Sequence, residues 1–143
     1  MGIFLNPNNI NFERALNSEI YIDKSELIKL TNKYDVIRLD MQKFANRTKN
    51  VEEMIELLQK RVTDELKKNF DIDIDDTDLP FAFEQIFDYT SQMFVFVIDE
   101  WDCVLRDKKN NADAQKIYLD FLCNLFKGQS YVALAYMTGI LPI

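Results

Sequence analysis

Apolar and polar positions along the chain change period several times, and each change marks an element. Tyr34 to Asp40 (YDVIRLD) alternates and is rich in strand formers, which predicts a strand. Asn50 precedes a stretch whose apolar positions Val51, Met54, Ile55, Leu58, Val62 and Leu66 keep helical spacing, so a helix capped by Asn50 is expected over Val51 to Asn69. Asp71 to Asp78 (DIDIDDTD) reads as a charged turn. A second helix is expected from about Leu79 to Tyr89, with Pro80 allowed in its first turn. Phe94 to Ile98 (FVFVI) is continuously apolar, the pattern of a strand buried on both faces. A third helix is expected over about Ala112 to Lys127, closed by Gly128, and a last apolar strand over Tyr131 to Met137. Ahead of these, residues 1–18 look irregular apart from a helical patch around Phe12 to Leu16. Glu19 to Asp23 (EIYID) alternates like a short strand, and Asp23 or Ser25 can cap a short helix reaching about Thr31.

Strands separated by helices predict parallel β-α-β units. The expected fold class is therefore α/β, with a small parallel sheet of about three strands flanked by helices. No linker, repeat or low-complexity tract divides the chain, so residues 1–143 read as one domain.

Composition narrows the chemistry. Hydrophobic residues make up 48% of the chain, enough for a real core. The net charge of -7 sets a repulsive surface against nucleic acid and anionic membrane, and an attractive one against a basic protein. The chain has no histidine, which excludes Ser-His-Asp and Cys-His chemistry and removes the commonest zinc ligand. Cys103 and Cys123 have no metal-type spacing. With no signal-like N-terminus and no long apolar run, they read as reduced thiols of a cytoplasmic protein.

The most informative segment is Phe94 to Asp102 (FVFVIDEWD). An apolar strand ending in Asp-Glu is the Walker B pattern. The strand delivers Asp99 to the mouth of a sheet, where a carboxylate can hold a magnesium ion on a nucleotide, and Glu100 beside it can polarise water. Many buried strands end in an acidic residue only because solvent begins there, so this motif alone is weak.

Wider matches add to it. The segments FLNPNNINFERALNSEIYIDKSELI, KYDVIRLDMQKF, FVFVIDEWDCVLR, YLDFL and YVALAYMTGILPI together resemble the AAA-ATPase-like family of bacterial proteins, which often carry a PD-(D/E)XK nuclease-like domain after the ATPase domain. That resemblance implies Walker B positions for Asp99 and Glu100, and a γ-phosphate-sensing position for Thr138. It also implies a sheet in which the Phe94–Asp99 strand lies between the other two. The departure is equally specific. Relatives have a strand and a Gly-Lys-Ser/Thr phosphate loop between the IYIDKSELI-like and KYDVI-like segments. Here Leu30-Thr31-Asn32 runs straight into Lys33-Tyr34-Asp35, and no glycine occurs between Gly2 and Gly128. A phosphate loop needs glycines so that backbone N–H groups can wrap the phosphates. The resemblance therefore implies a truncated P-loop-ATPase-like domain, non-catalytic, with vestigial Asp99, Glu100 and Thr138 and no cofactor. It also implies that the lost strand leaves Tyr131 to Met137 as an apolar edge. Such an edge is expected to be covered by the N-terminal segment, a partner strand or a second copy in a homodimer.

Other residues carry competing readings. Asp71, Asp73, Asp75, Asp76 and Asp78 suggest a calcium loop with Glu84 at its twelfth position. The sixth position is Asp78 rather than glycine, and Pro80 interrupts, so a solvated acidic turn or a docking surface fits better. Trp101 and Asp102 are further candidates for an interaction surface, although Trp101 can equally pack on the helix that follows. Cys103 reads as a structural thiol. Phe81, Phe83, Ile86 and Phe87 read mostly as core. Three functions remain in view. One is an acidic binding protein, in concrete form an anti-CRISPR-like inhibitor occupying the basic channel of an RNA-guided nuclease. Another is an ATPase-like remnant that only pairs with relatives. The last is a magnesium-dependent enzyme using Asp99, Glu100 and Asp102.

Overall fold

Residues 34–75 and 78–140 are described by a computed structural model. The strand and helix expected before residue 34, the patch around Phe12 to Leu16, and Asp76 lie outside the described residues. Chain order is β1 (Asp35–Asp40), α1 (Met41–Ala45), α2 (Val51–Asn69), α3 (Leu79–Thr90), β2 (Phe94–Asp99), α4 (Cys103–Asp107), α5 (Ala112–Phe126) and β3 (Val132–Met137).

The strands form a parallel sheet in the order β1-β2-β3, an α/β fold with the most apolar strand in the centre. The register sets Ile37 beside Phe96 and Asp40 beside Asp99, and on the other side Ile98 beside Met137. Because side chains alternate along a strand, the sheet has two distinct faces. Ile37, Leu39, Phe94, Phe96 and Ile98 point to a core that receives side chains from all five helices. The opposite face carries Val36 and Val95 with Tyr34, Val97, Ala133 and Leu134, and no described helix contributes to that cluster.

Local sequence explains the helix ends. The Asn50 side chain accepts from the Glu53 N–H at 2.8 Å, and the Glu53 carboxylate reaches back to the Lys49 N–H at 3.1 Å, which satisfies N–H groups the helix itself cannot. Val51, Met54, Leu58, Val62 and Leu66 of α2 are buried along one stripe, as their spacing predicts. Asn111 caps α5 by accepting from Ala114, and Gly128 takes a left-handed backbone just past its end. At the centre of the core the Phe83 ring meets Phe94 and Phe96 edge-on, at 5.0 and 5.2 Å, and stacks on Tyr131 at 5.1 Å.

Three features differ from the sequence reading. The one-turn helices α1 and α4 were not expected. The turn over Asp71 to Asp75 is not wholly solvated, since Ile74 is buried in the core. Phe81 is not core: it is 45% exposed, on the opposite side of α3 from Phe83 and Ile86.

Candidate functional site

The carboxyl ends of β1 and β2 bring Asp40 and Asp99 side by side, so two acids meet at the mouth of the sheet. Like charges in register repel. Each is answered by a cation from β1 or α1. Lys43 Nζ lies 3.1 Å from Asp40, whose other oxygen accepts from the Lys43 N–H at the start of α1. Arg38, two residues before the end of β1, donates to Asp99 Oδ2 from Nη2 at 2.7 Å and from Nε at 3.1 Å. The second oxygen, Oδ1, accepts from the Thr138 hydroxyl at 2.8 Å. Both oxygens of Asp99 are thus engaged inside the chain.

Thr138 is held there by the sheet itself. Its N–H donates to the Ile98 carbonyl at 2.8 Å, and its carbonyl accepts from the Trp101 N–H at 3.1 Å. The structure therefore brings Asp99 and Thr138 together, and the hydroxyl is spent on the carboxylate.

Immediately after Asp99 the backbone turns sharply. Glu100 has φ 55°, a left-handed conformation that costs a non-glycine residue about 1–2 kcal/mol. The turn sends Glu100 away from Asp99 and toward Arg106 of α4, with which it forms an ion pair. Arg106 also donates to Gln42 Oε1 at 3.3 Å and lies 3.5 Å from Asp102 Oδ2. Asp99 and Glu100, adjacent in sequence, consequently serve two different arginines.

Asp102 is a correction to the sequence reading. It is fully buried and cannot form part of an interaction surface. Its Oδ2 accepts from the Ile140 N–H at 3.0 Å, which ties the segment after β3 to the turn after β2. Gly139 makes that approach feasible, because a Cβ there would lie 2.6 Å from Asp102 Oδ1. Trp101 is half-buried and packs against the main core. Its Nε1 is buried with no hydrogen-bond partner among the described residues, so the indole offers its polar atom inward. Its carbonyl accepts from the Tyr118 hydroxyl at 2.6 Å, and burial holds that phenol well above its ordinary pKa. Burial likewise pushes the Cys103 thiol up to about 11, consistent with a structural thiol.

Asp71, Asp73, Asp75 and Asp78 are exposed and lie on the loop before α3. Among the described residues no group of three or more acidic or thiol side chains converges in a way that could hold a metal ion. No described helix is long and apolar enough to cross a membrane.

A magnesium nucleotide requires carboxylate oxygens open to the metal and its waters, and N–H donors for the phosphates. The side chains among the described residues do not present that arrangement. Asp99 has both oxygens occupied, Glu100 is drawn away by Arg106, and the described glycines, Gly128 and Gly139, stand at a helix end and against Asp102 rather than in a phosphate cradle. Sequence reasoning missed Arg38, Arg106 and Gln42. A signal existed for Arg38 alone: a cation on the polar phase of an otherwise apolar strand, two residues from its end.

Comparison with known proteins adds one match. The model of the AAA-ATPase-like family, described as predicted AAA-ATPase, matches residues 3–143. No curated protein and no solved structure matches the chain.

Proposed function

The chain belongs to the AAA-ATPase-like family, and from that membership and the ion-paired Asp99 we propose that it is a non-catalytic acidic binding protein built on a truncated ATPase-like domain. The observation that carries this reading is the engagement of both Asp99 oxygens, by Arg38 and by Thr138. A nucleotide-bound metal would meet a carboxylate already paired with Arg38 at 2.7 Å, a modest competition for a pair this exposed. The lack of any Gly-rich Lys-Ser/Thr loop in the sequence points the same way. In this reading the chain does not use a nucleotide, the function falls to the surface, and the charge of -7 favours a basic protein partner in the cytoplasm. An RNA-guided nuclease, whose nucleic-acid channel is basic, is the partner class in which such an acidic inhibitor has an evident mode of action.

A second reading is favoured by β3. It is an edge of the described sheet, and all six of its residues, Val132 to Met137, are only half-buried although all are apolar. An edge of this kind pairs readily with another strand. In this reading the chain is a remnant that binds a second copy, or a full-length relative, through β3.

Two measurements decide. Tagged protein is used to capture partners from host lysate and is eluted with a salt gradient. Recovery of an RNA-guided nuclease released by rising salt supports the inhibitor, whereas recovery of only the chain itself and ATPase-like relatives supports the remnant. Phosphate release is then assayed with magnesium and ATP. Turnover that disappears in Asp99→Ala would sink both non-catalytic readings.

A further inference from the structure

A shallow groove lies between the first turns of α3 and the C-terminal end of α5. Pro80 and Phe81 give it an apolar surface, Asp78 and Glu84 its charge, and Asn124 and Gln129 an amide-lined side. No cationic side chain is among the described residues that line it.

Three observations set this groove apart from an ordinary solvated surface. Phe81 is 45% exposed while its helix neighbours Phe83 and Ile86 are fully buried, so the ring is offered outward from a rigid element. Asp78 sits at the N-cap of α3 but makes no side-chain cap hydrogen bond. Aspartate there ordinarily accepts from an N–H of the first turn, a stabilising contact. Here Pro80 leaves the second helical position without an N–H, no side-chain cap bond forms, the Leu79 N–H is held by Gln59 Oε1 at 3.2 Å, and Asp78 lines the groove. Finally, the Gln129 amide is anchored, donating to the Asn124 carbonyl at 2.7 Å, so the far side of the groove is built rather than loose.

We infer that this groove docks an extended basic segment of a protein partner, with one apolar side chain resting on Phe81 and flanking lysines or arginines meeting Asp78 and Glu84. An aromatic anchor with a charged rim is the arrangement in which a few residues dominate binding. Charge selects the occupant. The two carboxylates repel phosphates and acidic peptides, and exposed Asp71 and Asp73 extend the same field along the loop leading into α3. The inference rests on the binding-protein reading above and specifies which face that binding uses.

The test uses the full chain and a fluorescein-labelled octapeptide of alternating lysine and leucine, with an all-lysine octapeptide and a glutamate–leucine octapeptide as controls. Binding is followed by anisotropy and located by amide chemical shifts. The lysine–leucine peptide is expected to bind best and to shift the amides of Phe81, Asn124 and Gln129. Phe81→Ala, and separately Asp78→Asn with Glu84→Gln, should each weaken it about tenfold, and the second should also flatten its salt dependence. Glu56→Gln with Asp64→Asn, an equal loss of charge on α2, should leave affinity unchanged. Thermal melts confirm that each variant folds. Equal affinity for all variants, equal binding of the all-lysine peptide, or shifts confined to another face would overturn the assignment. The same variants are used in the lysate capture. A partner retained equally by all of them overturns the groove and leaves the binding-protein reading standing. A blank with wild type sinks that reading, and the peptide measurement then decides the groove alone.

Discussion

Arg38 reaches diagonally from β1 to β2 and places two donors on one oxygen of Asp99, Nη2 at 2.7 Å and Nε at 3.1 Å. The arginine side chain is 49% exposed and the aspartate 26%, so water and salt screen the pair. Exposed pairs of this kind contribute about 0.2–1 kcal/mol. Arg38→Ala should therefore lower unfolding stability in urea by about 1 kcal/mol or less, and most of that difference should vanish in 1 M sodium chloride. A loss several times larger and indifferent to salt would show that the pair is shielded from solvent.

Asp102 is different in kind because it is fully buried, with Arg106 and the Ile140 N–H against it. Removing one member of a buried charged network costs about 3–5 kcal/mol. Asp102→Ala should lose about 3 kcal/mol on that scale, whereas Asp71→Asn and Asp73→Asn, on the surface, should stay within about 0.5 kcal/mol. Equilibrium urea unfolding distinguishes these. A silent Asp102→Ala would mean that the network is not holding the turns after β2 and β3 together.

Burial raises the carboxyl pKa of Asp35 at the start of β1. A carboxyl raised in the folded state favours folding only while protonated. Its contribution is complete below the unfolded pKa, about 3.9, and is lost as pH rises through the folded value. At neutral pH the ionised side chain is thus a burden. Asp35→Asn should raise Tm at pH 7, and the advantage should shrink toward zero as pH falls below about 4. An equal gain at both pH values would assign the effect to something other than ionisation.

The two thiols should differ in reactivity. Cys103 is buried with its pKa pushed up to about 11, and Cys123 is exposed on α5. Since the thiolate is the nucleophile, iodoacetamide at pH 7.5 should label Cys123 and spare Cys103 in the native protein, with both labelled in urea. Peptide mass spectrometry reads this directly. Rapid native labelling of Cys103 would show that α4 opens readily.

How much of this was legible in the residues depends on range. The strands announced themselves through YDVIRLD and FVFVI, and α2 through its stripe and its Asn50 cap, because both signals are local. The central place of β2 followed from the family resemblance. The helices α1 and α4 each span five residues, too short for a period to be read. The partnership of Arg38 with Asp99 links residues 61 positions apart, and no spacing rule connects them. Asp102 was misread for a related reason. An acid just past the end of a strand looks solvent-facing, but the left-handed turn at Glu100 leaves Asp99 at the sheet mouth, Glu100 on α4's arginine and Asp102 buried.

That turn also shapes the electric field of the molecule. By giving Asp99 and Glu100 separate guanidinium partners, it makes the mouth of the sheet nearly neutral at contact distance, and Lys43 does the same for Asp40. Among the described residues, exposed Asp71 and Asp73 on the loop before α3 carry negative charge outside these pairs. A basic surface approaching that loop is drawn to it before contact, so local charge orients an encounter as well as strengthening it.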